Sequence, residues 1–287
     1  MMRVAHILSY FPGQEGLTSF CRGLGTAFTD IEKIEVPIIT FRSQPPKNPE
    51  LEQGPLLVRF PHKNRHPFDL PRNFLTSLDS GELRLDGAVL HGTYSPQVFA
   101  LARALHKRGI PYIFMPHDPY VEKLRKHHAI RKYVYWHLCE KWVIANAAAV
   151  QLLSVSHEST LRELGCETPV HILANGCDPE DLKKMGPDAR VPGEREDFVI
   201  QYLGRMDRNH KGLDLLIRGY AGFLTKIPED AKVCLVLSGN DWEDRGYLES
   251  LADELGLGSR IRFTGRLEDP SVVVHSRADI SVLCSRF

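Results

Sequence analysis

The chain has 287 residues, 43% of them hydrophobic and 25% charged, with 36 Lys and Arg set against 36 Asp and Glu. That composition excludes a disordered, collagen-like or disulfide-scaffold protein, and the zero net charge removes the basic excess expected of a nucleic-acid binder. At roughly 150 residues per domain the length sets a prior of about two domains, each long enough to bury a core.

In chain order, short apolar runs read as strands over Val4–Leu8, Val36–Thr40, Leu57–Phe60, Ala88–His91, Tyr112–Met115, Val150–Leu153 and Val170–Leu173. A second series follows at Phe198–Leu203, Val233–Leu237, Ile261–Phe263 and Ile280–Cys284. Helical patterns fall between them, among them Leu17–Phe28, Ser95–Lys107, His157–Leu164, Leu213–Leu224 and Tyr247–Leu255. Near-continuous apolar strands alternating with helices predict parallel sheets covered on both faces. Ser43–Pro55, with four Pro, is expected to be a loop. The charged, Pro- and Gly-containing stretch 184–197 reads as a linker between domains 1–183 and 198–287.

The charge is distributed unevenly. Residues 1–190 carry a small positive excess and residues 191–287 an equal negative one, and most of the 13 His lie in the first part. The six Cys form no C-x-x-C pair, and no His cluster completes a zinc pattern, which reads as reduced thiols in a cytosolic protein. The amino terminus is too short and too polar for a signal peptide, and no apolar stretch is long enough to span a bilayer.

The sharpest local signal is Gly204-Arg205-Met206-Asp207-Arg208-Asn209-His210-Lys211-Gly212. A buried strand ends at Leu203, Gly204 allows a tight turn, and Arg205 and Lys211 bring two cations beside a helix expected to open at Gly212. Arg can grip phosphate oxygens in bidentate fashion and Lys supplies a point charge, so the set suits an anion such as a diphosphate. Taken by composition alone, the same residues also read as a solvated basic turn.

The pattern G-R-x5-K-G-x-D-x-L-I over Gly204–Ile217 resembles the donor-site motif of the retaining glycosyltransferases of family 4. Asn175-Gly176-Cys177-Asp178 is similar to that family's N-G-V-D turn, and Gly239 to the G-x-G turn after its next strand. Arg260–Gly265 and Ala278-Asp279-Ile280 resemble two further strands. The resemblance implies an α/β fold of GT-B type, two Rossmann-like domains with an inter-domain cleft. It implies transfer of a hexose from a nucleotide diphosphate sugar to an acceptor hydroxyl, with retention at the anomeric carbon. No cofactor or metal is expected, the sugar nucleotide being a co-substrate. The sugar or lipid-linked acceptor stays open, as do a non-catalytic binder of the same fold and a nucleotide-sugar epimerase.

By resemblance, Arg205 and Lys211 would neutralise the diphosphate, with Gly204 and Gly239 forming the turns around it. His117, in Met115-Pro116-His117-Asp118, would orient the sugar, Asp118 standing where the family has Gly. Gly16 would offer backbone N–H groups at a helix start, and His91, ahead of Gly92-Thr93, is a weaker rim candidate. Each of these also has an ordinary structural reading as a cap, a turn or a helix start. The family's E-x7-E motif would begin just beyond Phe287, so the second domain is expected to be incomplete and this polypeptide poorly active. Finally, residues 122–142 mix Lys, Arg and His with Tyr and Trp, a composition that suits an anionic membrane surface, a nucleic acid as the competing partner, or a solvated helix with aromatics in the core. Cytoplasmic placement follows, peripheral at the membrane in the first case, with no nucleic-acid partner.

Overall fold

The computed structural model describes residues 2–8, 16–29, 34–41, 57–61, 66–117, 129–176, 198–241, 243–265, 267 and 278–286. The loop 43–55, the linker 184–197, Asp118 and the first part of the basic segment, 122–128, lie outside the described residues. The chain divides into two compact units, Met1–Gly176 and Cys177–Phe287.

The first unit is built on parallel strands β1 (Met2–Leu8), β2 (Ile34–Glu35), β3 (Ile38–Thr40), β4 (Leu57–Arg59), β5 (Gly87–His91), β6 (Tyr112–Met115), β7 (Ala149–Leu152) and β8 (Val170–Ile172). Their order is β4-β3-β1-β5-β6-β7-β8, with β2 also beside β1. The single strand expected over Val36–Thr40 is split. Pro37 has no N–H to give to a ladder, and its carbonyl instead accepts from the His6 N–H at 2.9 Å.

Helices α1 (Gly16–Thr29), α2 (Arg72–Ser80), α3 (Pro96–Lys107), α4 (Ala129–Tyr135), α5 (Lys141–Ala145) and α6 (Ser156–Glu163) connect these strands. Ser95 caps α3, its hydroxyl accepting from Val98 N–H, and Pro96 sits where a missing N–H costs nothing. A π-helical turn, Trp136–Glu140, joins α4 to α5. Ile7, Leu90 and Phe114 of the sheet pack with Leu101, Leu105 and Val143, each no more than 1% exposed.

The second unit has parallel strands β9 (Phe198–Leu203), β10 (Val233–Ser238), β11 (Ile261–Gly265) and β12 (Ile280–Ser281) in the order β11-β10-β9-β12. The last is shorter than expected, although Val282 N–H still donates to Gln201 O at 2.8 Å. Its described residues also form helices α7 (Arg208–Lys211), α8 (Leu213–Leu224) and α9 (Arg245–Glu254). Its core joins Tyr202, Leu235 and Leu237 to Leu213, Ile217 and Leu248.

In both sheets the chain reverses its direction of strand addition. The reversal lies between β1 and β5 in the first unit and between β9 and β12 in the second. The carboxyl ends of the strands at such a switch point are where open α/β sheets bind ligands.

Candidate functional site

At the switch point of the first unit three histidines converge. His6 lies in β1, His91 ends β5, and His117 follows β6 by two residues. His6 Nδ1 is 2.9 Å from His91 Nε2, and His91 Nδ1 is 2.8 Å from His117 Nε2. Cys21 of α1 closes the inner end, its Sγ 3.7 Å from His6 Nδ1 and 3.9 Å from His91 Nε2.

His6, His91 and Cys21 are buried, while His117 is half-buried with its ring edge against Phe20. Burial, with the neighbouring His117 charge adding to it, lowers the His6 pKa to about 4. Burial and the two flanking imidazoles take His91 well below the usual value. Burial pushes the Cys21 thiol up to about 12. His6, His91 and Cys21 are therefore neutral near pH 7. Its three buried members also form a donor set that a metal ion could meet, one atom from each lying within 4.8 Å of the others.

His117 adopts φ 63°, a backbone region rare for a residue with a side chain. The Gly92 N–H donates to Met115 O at 3.1 Å, which ties the loop after β5 to the end of β6. Buried Glu140, delivered by the π-helical turn, accepts the Tyr94 N–H at 3.1 and 3.2 Å and fixes the same loop. Gly16 is the first residue of α1, one residue ahead of the expected helix start. Sequence reasoning singled out His91 and His117 but missed His6 and Cys21. The available signal was a histidine interrupting an apolar strand.

In the second unit, Gly204 follows β9 and its N–H donates to Ser238 O at 2.9 Å. Gly239 follows β10, and a β-carbon there would collide with the Gly204 carbonyl oxygen. The stretch between Gly204 and Gly212 is more ordered than a simple turn. It contains the helical turn α7, capped by Asp207, whose carboxylate accepts from Asn209 and His210 N–H at 2.9 and 3.0 Å. Gly212, at φ 64°, ends α7 and begins α8. Arg205 and Lys211 thus flank one capped turn, the first exposed and the second half-buried.

Two arginines at or beside the turn are paired. Arg208 meets Asp244 at 3.2 Å, and Arg286 binds Asp214 through two contacts of 2.9 and 2.8 Å. Among the described residues the Lys211 ammonium has no ion-pair partner.

The described end of the basic segment divides its aromatics. Trp136 is buried and Trp142 packs on the core, against the Phe99 ring. Ile130, Tyr133, Val134 and Leu138 are exposed, beside exposed Arg131 and Lys141. Among the described residues no helix is long and apolar enough to cross a membrane.

The family description "Glycosyl transferase 4-like domain" matches residues 18–176, and "Glycosyl transferases group 1" matches residues 188–287. A lipopolysaccharide core biosynthesis glycosyltransferase, LpsD of Rhizobium meliloti, is 29% identical over 121 residues, which span 42% of this chain and 32% of that protein. Among solved structures, the apo lipopolysaccharide outer core galactosyltransferase WaaB aligns over 99% of this chain and 74% of its own, with TM-score 0.67 and 18% identity. Sucrose-phosphate synthase of Thermosynechococcus elongatus aligns over 100% and 76%, with TM-score 0.72 and 19% identity. Anabaena HepE in complex with UDP and glucose aligns over 99% and 74%, with TM-score 0.67 and 17% identity. These structural likenesses establish the fold.

Proposed function

The chain belongs to the glycosyl transferase 4-like family, and from that premise we propose that it transfers a hexose from a nucleoside diphosphate sugar to a hydroxyl of a glycan or glycolipid acceptor, with retention of anomeric configuration. The observation that carries this reading is the Arg205–Lys211 turn at the carboxyl end of β9, where the strand order reverses.

The step forms a bond between the acceptor oxygen and the anomeric carbon and breaks the bond from that carbon to the diphosphate, which leaves with the acceptor proton. Negative charge grows on the diphosphate as the sugar becomes oxocarbenium-like. A fixed guanidinium and ammonium stabilise that charge more than they stabilise the bound donor. In this reading Arg205 and Lys211 hold the diphosphate, Gly204 and Gly239 shape the loops beside it, and His117 orients the sugar. Backbone N–H groups at the start of α1, by Gly16, add a positive dipole end. The scheme routes no step through a metal.

LpsD is named for lipopolysaccharide core biosynthesis, and HepE was solved with UDP and glucose. UDP-sugars and lipid-linked saccharides are therefore the first substrates to try. The exposed apolar residues Ile130, Tyr133, Val134 and Leu138 beside Arg131 and Lys141 support peripheral binding to an anionic membrane, where such an acceptor resides.

Calorimetric titration with UDP, GDP and ADP tests the reading. Arg205→Ala and Lys211→Ala should each weaken the preferred diphosphate by roughly tenfold to a hundredfold, since a charged hydrogen bond is worth about 1.5–3 kcal/mol. Unchanged affinity in both variants would refute their roles. Incubation with labelled sugar nucleotides, followed by product analysis, separates transfer from epimerisation and from binding without turnover.

A further inference from the structure

The three histidines are joined edge to edge. The His6 and His91 ring centroids are 5.0 Å apart at 26°, and those of His91 and His117 5.1 Å apart at 21°. With the facing nitrogens at 2.9 and 2.8 Å, each pair of rings is nearly coplanar with its nitrogens between the centroids. Each junction has the length of an N–H···N hydrogen bond.

We propose that His6 and His91 are positioning residues that hold His117 in one tautomer, the three rings forming a single relay in which both hydrogen bonds run in the same direction. A neutral imidazole has one N–H and one bare nitrogen. Both nitrogens of His91 are engaged, so His91 must donate to one neighbour and accept from the other.

Two registers satisfy both junctions. In one, His6 Nδ1–H donates to His91 Nε2 and His91 Nδ1–H donates to His117 Nε2. Every ring is then the Nδ1–H tautomer, and His117 presents a donor at its remaining nitrogen. In the other, His117 Nε2–H donates to His91 Nδ1 and His91 Nε2–H donates to His6 Nδ1. Every ring is then the Nε2–H tautomer, and His117 presents an acceptor. A mixed set leaves one junction with two protons or none, which burial makes costly. The lowered pKa values of His6 and His91 keep those two rings neutral near pH 7.

A metal ion bridging His6, His91 and Cys21 is a different arrangement. Around a tetrahedral ion with bonds of 2.0–2.1 Å, two imidazole nitrogens stand about 3.3 Å apart. The His6–His91 separation of 2.9 Å is that of a shared proton instead.

The role given to His117 rests on the glycosyl-transfer reading, but the relay itself is testable without substrate. Two-bond nitrogen–proton NMR of the full chain with labelled histidine reports the tautomer of each ring. His6, His91 and His117 should all be Nδ1–H or all Nε2–H. A mixed set, or a His117 that averages between tautomers, overturns the relay, as does one equivalent of tightly held zinc lost on Cys21→Ser.

His91→Gln, whose amide both donates and accepts, should keep His117 in one tautomer, whereas His91→Phe should release it to an average. In turnover, His91→Phe should lower kcat at least tenfold while nucleoside diphosphate affinity stays within twofold, with His91→Gln restoring part of the rate. A uniform set of tautomers without detectable transfer would leave the relay standing and remove the transfer reading. Single-tautomer His117 in His91→Phe would remove the relay.

Discussion

The backbone of Gly204 lies so close to Gly239 that a β-carbon at Gly239 would overlap the Gly204 carbonyl oxygen. Gly239 stands at φ 140°, and its N–H donates to Gly265 O at 2.7 Å, so it cannot retreat without breaking the ladder beyond β10. Gly239→Ala should therefore lower stability by roughly 1–3 kcal/mol through overpacking and push the Arg205 loop outward. Urea unfolding followed by tryptophan fluorescence reads the first effect and diphosphate titration the second. An unshifted midpoint would mean that the two loops separate freely.

Asp207 holds the phosphate-side turn together. It is 4% exposed and accepts two N–H groups of α7, and its second oxygen lies 2.7 Å from His210 Nδ1. Losing a cap of this kind costs about 1–2 kcal/mol. Asp207→Ala should show that loss in urea and also weaken nucleoside diphosphate binding, because Arg205 and Lys211 sit at the two ends of the turn. Asp207→Asn keeps an acceptor for the backbone and should recover most of the stability. Equal damage from both substitutions would place the effect in the His210 contact rather than in the cap.

The buried imidazoles make stability fall in acid. The His6 pKa is near 4 in the folded chain, against 6.5 when exposed, with burial the larger cause and the His117 charge the smaller. Between those values the unfolded chain binds the proton and the folded one does not. Stability is then fully present above about pH 6.5 and lost progressively as the pH falls toward 4, by roughly 3 kcal/mol at most from His6. The shift of His91 has the same sign. Urea midpoints measured from pH 7.5 to 4.5 should decline, and His6→Gln should flatten the slope. A midpoint that rises on acidification would contradict the neutral cluster.

Much of the architecture was legible because burial on both faces writes strands as apolar runs. Ala88–His91 and Phe198–Leu203 are recovered almost to the residue. Helix α2 was not anticipated although Pro71 precedes it and Gly81, at φ 77°, ends it, because it is only nine residues long and most of them are polar. In the candidate site, Arg205, Lys211, Gly204 and Gly239 were visible as a local motif with fixed spacing. His91 was placed from sequence on the same rim as His117, but His6 and Cys21 were not joined to them, since His6 reaches His91 only through the parallel register of β1 and β5 and Cys21 only through the packing of α1. Asp207 was passed over because a capping carboxylate and a solvated one look alike in sequence.

The outer face of α4 and the π-helical turn tests membrane contact. Ile130 is 84% exposed and Leu138 69%, so truncating them removes nothing from the core. Ile130→Ser with Leu138→Ser should leave thermal stability within about 0.5 kcal/mol, as for other surface changes. Two large aliphatic side chains entering the interface are each worth about 1.5 kcal/mol or more. The double variant should thus sediment at least tenfold less with vesicles containing phosphatidylglycerol. Arg131→Gln with Lys141→Gln should weaken the same binding and reduce its salt dependence, because each cation contributes about 1 kcal/mol near an anionic surface. Unaltered sedimentation of both double variants would show that this face does not touch lipid, and loss of binding in the apolar pair alone would mean that the contact does not depend on these two charges.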